Sequence, residues 1–263
     1  MRFLRFVLPA AALASLIVLT ASDAPAGCTT GGVYAQPAPT GTLAANGRIV
    51  VEGSGIMNAP VAALDDTTLV LASDTEEIPL HVEAKNPGSW NISQAILVPV
   101  REPPVGKRFA LRASSTAKGS PLDQSITQND RLWWTTTASL PADSLHWASK
   151  PTRGETSIGH GCPPHAYVGV HVPVDHPEQL LGVLAEVRPL KQGGKSSRYL
   201  LPVYKDQNNK RGEIALGFQG CEEAIGLFAG ITHLVKLSAV DLAGREIPAP
   251  GMVLTIPGPT QKP

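Results

Sequence analysis

"GHGCPPHAYVGVHVPVDH", Gly159 to His176, holds four of the chain's seven histidines and one of its three cysteines. Composition alone would make it a metal site. Its second half points elsewhere. In "HAYVGVHV", Ala166, Val168, Val170 and Val172 fall on one face, and His165, Tyr167, Gly169 and His171 on the other. That period of two is the signature of a half-buried strand. Six residues at about 3.3 Å each separate His165 from His171 by roughly 20 Å, while ligands of one zinc lie within about 2.1 Å of it. On a straight strand these two histidines cannot share an ion. A loop trio remains, His160, Cys162 and His165, of which His160 and His165 keep a weak claim to a metal.

Cys162 has a competing use. Cys221 lies in a second turn-like segment, "GFQGCEEAIG", and a Cys162–Cys221 bridge would close about 60 residues. In the chain-entropy account such a loop is worth roughly 4 kcal/mol, less any native strain. A disulfide is the expectation, with a metal site and free thiols as the alternatives.

Working outward, short strand-like runs recur between turn signals: Arg48 to Glu52, Thr68 to Ala72, Ile78 to Glu83, Gln94 to Pro99 and Arg108 to Ala113. In "KRFALRA", Phe109 and Leu111 share one face and Arg108, Ala110 and Arg112 the other. "DHPEQLLGVLAEVRPL" supports two readings. Asp175 and Pro177 suit a helix start and the leucines come at near-helical spacing, yet Leu181, Val183, Ala185 and Val187 alternate. Since its neighbours all read as β, the expectation is a helical turn followed by a strand from about Leu181 to Arg188, then a hairpin through "PLKQGGKSS". "TTTASLPADSLHWASKPT", Thr135 to Thr152, is poor in alternating apolar residues and marks a domain boundary.

Two stretches carry a family resemblance. "PVGKRFALRA" resembles the late-strand signature of bacterial Ig-like (fibronectin-III-like) domains, and "HLVKLSAVDLAGRE", His233 to Glu246, is similar to their closing hairpin. The resemblance implies an all-β chain of two antiparallel Ig-like sandwiches in tandem, over residues 43–139 and 140–263. The Cys, Trp, Cys spacing of antibody domains is absent, so the bacterial group is meant.

The first residues are of another kind. Arg2 and Arg5 precede an apolar run from Phe6 to about Ala21, and small residues follow, the layout of an export signal over 1–27. Ala26-Gly27-Cys28 resembles the end of a lipobox, which would lipidate Cys28, although Pro25 stands where an aliphatic residue is expected. Ordinary cleavage after Ala26 is the alternative. If Cys28 carries lipid, Cys162 and Cys221 are left as a pair. Residues 28–42, small, polar and proline-bearing, read as a flexible linker.

Lys plus Arg equals Asp plus Glu at 22 each, so no net field favours nucleic acid. The membrane is expected as a partner only through a lipid on Cys28. "GGKSS" echoes a phosphate loop without its upstream glycine or its helix, and "EGSGI" does not fit G-x-S-x-G. Adjacent acids at Asp65-Asp66, Glu76-Glu77 and Glu222-Glu223 point to opposite faces of a strand or sit in turns, which suits solvation better than catalysis. No cofactor is expected. Trp133 and Trp134 are consecutive, so on a strand one faces the core and the other faces outward or a second domain, and together they mark a possible binding surface. The expectation is a non-enzymatic, exported cell-envelope or extracellular protein that binds an unknown envelope protein or glycan, or acts as a spacer. An envelope-polymer hydrolase with dispersed site residues and a structural subunit of an envelope assembly are the alternatives.

Overall fold

The computed structural model describes residues 31–143, 145–159, 165–190, 194–205, 212–219, 222–228, 230–251 and 254–258. The expected export signal, Cys28, His160, Cys162 and Cys221 lie outside the described residues.

Alternating side chains form strands close to where the sequence places them. In the first half the elements are β1 (Val33–Gln36), β2 (Thr42–Ala44), β3 (Ile49–Ser54), α1 (Asn58–Ala62), β4 (Leu69–Ala72), β5 (Glu77–Pro87), β6 (Ile92–Pro99), β7 (Arg108–Ala113), α2 (Pro121–Gln128) and β8 (Trp133–Thr137). All eight strands join one sheet in the order β1-β3-β6-β5-β4-β7-β8-β2. Neighbours are antiparallel except β2 and β8, which run parallel. Ile49, Leu71, Ile78, Leu97, Phe109 and Trp134, drawn from across this sheet, share a single buried core. The sheet must therefore curl around its own interior. A bulge between Val82 and Ala84 in β5 supplies a local bend. Val61 of α1 and Leu122 and Ile126 of α2 complete the core.

Two features of this half depart from the expected pattern. Ser120-Pro121-Leu122-Asp123 starts a helix: the Ser120 hydroxyl accepts from the Asp123 N–H at 3.1 Å and Pro121 occupies the first turn. Residues 33–42, expected as linker, are also tied down. β1 pairs with β3, and Trp134 Nε1 donates to the Pro37 carbonyl at 3.0 Å. Small and proline-rich sequence is compatible with order where backbone groups find partners in a neighbouring strand.

The second half contains β9 (His146–Trp147), β10 (Thr152–Gly159), β11 (His165–His171), β12 (Val174–Asp175), β13 (Leu180–Pro189), β14 (Ser197–Leu201), β15 (Tyr204–Lys205), β16 (Gly212–Gln219), β17 (Glu222–Ile225), β18 (Thr232–Asp241), β19 (Glu246–Pro248) and β20 (Leu254–Pro257). β9 and β12 pair with each other, and the other strands form two five-stranded sheets. One runs β10-β11-β16-β15, with β17 also on β16, and the other runs β14-β13-β18-β19, with β20 also on β18. Val168, Val170, Ile214 and Leu216 of the first meet Val183, Val187, Val235 and Leu237 of the second in one core. A 3-10 turn, Pro177–Gln179, leads into β13 as a strand. β13 is buried on both faces, which explains why its apolar run fits two periodicities.

The outer face of β13 meets the first half. Leu181, Leu184, Leu200 and Val240 pack against Val50, with Ile96 alongside. A buried polar clasp crosses the same interface. Gln94 donates to the Leu200 carbonyl at 2.9 Å and accepts from the Leu200 N–H at 3.3 Å and from Asn86 at 3.0 Å. The β5–β6 hairpin tip adds a bridge, Trp90 to Glu223, with both backbone bonds at 3.0 Å. The whole is predominantly β.

Candidate functional site

Where the halves meet, they leave a cleft of about 760 Å3. One wall is residues 36–42, and the other comes from residues 177–182, 202–204, Gly212 and Leu242. Pyrrolidine rings of Pro37, Pro39, Pro177 and Pro202 and the side chains of Leu180 and Val203 make it mainly apolar, with Gln36, Glu178 and Tyr204 as polar points. A cleft at a domain junction, apolar with a few polar groups, is the usual form of a small-ligand site.

The tryptophan pair builds the first wall. Trp134 is fully buried, and its indole holds the Pro37 carbonyl from beneath. Thr40 N–H bonds the Trp133 carbonyl at 2.7 Å and Thr135 N–H bonds the Gly41 carbonyl at 3.0 Å. These bonds hold Thr40 at a φ of 66°, a conformation that a β-branched residue rarely takes. Trp134 is thus unavailable to a ligand, and of the expected binding pair only the half-buried Trp133 faces outward. The Arg108 guanidinium carbon lies 3.6 Å from the centre of its ring.

His165 is placed on the polar side of β11, as alternation requires. Its Nε2 is 2.9 Å from the Ser157 hydroxyl and its ring leans on Tyr167 at 5.7 Å between centroids. Gly159 opposite makes room for that ring, since a Cβ there would come within 2.3 Å of it. Among the described residues no group of three or more His, Cys, Asp or Glu is arranged to hold a metal ion. Gly159 pairs with His165, His165 with Gln219, and Gln219 with Glu222, so the described residues flanking Cys162 and Cys221 stand in one row.

Three of the paired acids, Asp65, Asp66 and Glu76, are locally employed. Asp65 accepts from Thr67 and Thr68, which lowers its carboxyl below the ordinary range. Asp66 is lowered by the Val82 N–H and His81, and Glu76 by Arg101 and Lys107. Glu223 moves the other way, raised by burial. The most enclosed ionisable group is one that sequence reasoning passed over. His233 is fully buried, its Nε2 accepts the Phe228 N–H at 3.2 Å, and burial lowers its pKa against the opposing pull of the Ile231 and Ile256 backbone. Only its place in an alternating strand, opposite to Lys236 in phase, hinted at an inward side chain.

Comparison with family models and with curated proteins found no match. Among solved structures the chain is similar to a type I pullulanase of Bacillus subtilis complexed with maltose, with 11% identity and a TM-score of 0.24 over 79% of this chain and 24% of the other. A pullulanase of Anoxybacillus gives 9% identity and a TM-score of 0.24 over 82% and 25%. The chain thus spans about a quarter of the length of these proteins, and the low scores carry no conclusion about it.

Proposed function

We propose that this chain is an exported, non-enzymatic binding protein of the bacterial cell envelope or exterior, and that the cleft between its halves is where it receives a partner. The observation that carries this is the 760 Å3 cleft at the junction, with one wall fixed by Trp134. Arg2, Arg5 and the apolar run after them support export, and Cys28 supports a lipid anchor. The two facing sheets support an Ig-like reading for the second half. The row of described residues flanking Cys162 and Cys221 supports a disulfide between them.

A photo-crosslinking residue at Tyr204, on the cleft, compared with one at Val100, exposed elsewhere, tests the binding reading in intact cells. One envelope component captured from position 204 and not from position 100 is expected. Equal capture from both positions, or turnover of an envelope polymer by the pure protein, overturns it. Intact mass of the membrane fraction tests the lipid: Cys28 present without acyl mass removes that part. Non-reducing peptide mapping is expected to find Cys162 joined to Cys221, and alkylation of both thiols without reductant refutes the bridge.

A further inference from the structure

We infer that the outer face of β7 and β8 binds an anionic polysaccharide, through Arg108 and Arg112 on either side of Trp133. Alternation sends Phe109 and Leu111 fully into the core, so Arg108, Ala110 and Arg112 project outward. The register sets Ala110 opposite Trp133, which places Arg108 diagonally across from the indole. The small Ala110 side chain leaves the edge of that ring accessible. The guanidinium carbon of Arg108 lies 3.6 Å from the centre of the ring, a cation–π contact that restrains the side chain. A stacked guanidinium keeps its N–H edges for a carboxylate, which it grips in two parallel bonds, with much of the ordering cost already met.

Those donors are unspent. Among the described residues Arg108 is in no ion pair or hydrogen bond, and Arg112 bonds only the Leu111 carbonyl, at 3.3 Å. Other basic side chains nearby are differently placed: Lys107 and Arg101 are both engaged with Glu76. The acid on this face, Glu77, pairs with Ala72, which in turn pairs with Ala110, so it stands two strands away from the Arg–Trp strip. Four residue steps set the backbones of the two arginines roughly 13 Å apart, a span that an extended polymer covers with successive anionic groups. An indole edge with an alanine beside it offers the apolar surface on which sugar C–H groups rest, and a purely charged ligand would leave it unused. This inference rests on the export reading only for where the polymer is met; the contact itself is independent of the cleft.

Titration of the purified protein with polygalacturonate, dextran and polyphosphate, at low and high salt, tests it. Wild type is expected to bind polygalacturonate, more weakly at high salt, and to prefer it over both other polymers. Arg108→Gln and Arg112→Gln are each expected to weaken binding about tenfold, the loss typical of a charged hydrogen-bond donor. Arg108→Lys keeps the charge without the flat fork and is expected to lose most of that tenfold. Both arginines are exposed, so unchanged melting temperatures will show that the variants fold. Equal binding of dextran or polyphosphate by wild type, or undiminished binding by either glutamine variant, overturns the inference. Loss of cleft crosslinking with this binding intact would strike only the cleft.

Discussion

At the scale of single residues, two buried polar groups set measurable outcomes. Asp241 is 1% exposed and closes the turn after β18, accepting from Ala243 N–H and Arg245 N–H at 2.9 Å each and from Arg245 Nε at 2.6 Å. Asp241→Ala leaves two backbone donors without their acceptor and removes the ion pair with Arg245, so a loss of about 2–4 kcal/mol is expected in urea unfolding. A change under half of that would mean that water replaces the carboxylate. His233 governs a pH dependence. Burial lowers its folded pKa below the ordinary imidazole value of 6.5. Above that value it is neutral in both folded and unfolded states and stability is complete. As the pH falls below it, the unfolded chain takes a proton that the folded protein resists, and stability is lost until the folded pKa is reached. Melting temperatures of wild type are therefore expected to fall between pH 7.5 and pH 5.5 by more than those of His233→Gln. That window lies above the range of the lowered carboxylates Asp65, Asp66, Glu76 and Glu83. Equal slopes for the two proteins would remove His233 from the account.

At the scale of elements, caps and clasps matter more than length. α2 is short, and a helix of eight residues is marginal alone, so Ser120 at its N-cap contributes visibly. Ser120→Ala is expected to lower stability by about 1 kcal/mol, and Ser120→Asp to retain it, both read by chemical denaturation. Gln94 joins β6 to β14 by two hydrogen bonds and accepts a third from Asn86 of β5, while itself only 1% exposed. Its replacement by leucine leaves Leu200 N–H and C=O without that partner, at an expected cost of about 2–3 kcal/mol. Hydrogen exchange at Leu200 should accelerate in the variant, and unchanged protection would show that the strand is held by β13 alone. No helix was expected over Pro121–Gln128, although Ser120, Pro121 and Asp123 stand in N-cap order. The Gln94 clasp was not legible, because its partner is 106 positions away and no local pattern marks the meeting.

At the scale of the whole molecule, the halves share an apolar interface through Val50, Leu181, Leu184, Leu200 and Val240. Such an interface couples their unfolding, so calorimetry is expected to show one cooperative transition. Leu184→Asp places a charge in that seam and is expected to split the transition in two. A wild type that already melts in two steps would refute the coupling. The same seam fixes the angle at which residues 36–42 face residues 177–182, so the cleft exists only while the halves stay joined.

The sequence by itself determined the inward and outward faces of its clearly alternating strands. Alternation in residues 108–113 and 165–172 told which side chains point inward, because the two-residue period is a property of the backbone. It also separated His165 from His171 and marked one tryptophan of the pair for the core. Tertiary structure decided the rest. Strand order, the curl of the first sheet and the burial of both faces of β13 depend on partners distant in sequence. That is why the leucine-rich run before Pro189 reads two ways, why Val33–Gln36 look like part of a tether yet pair with β3, and why Trp134 supports the cleft while Trp133 lies under Arg108.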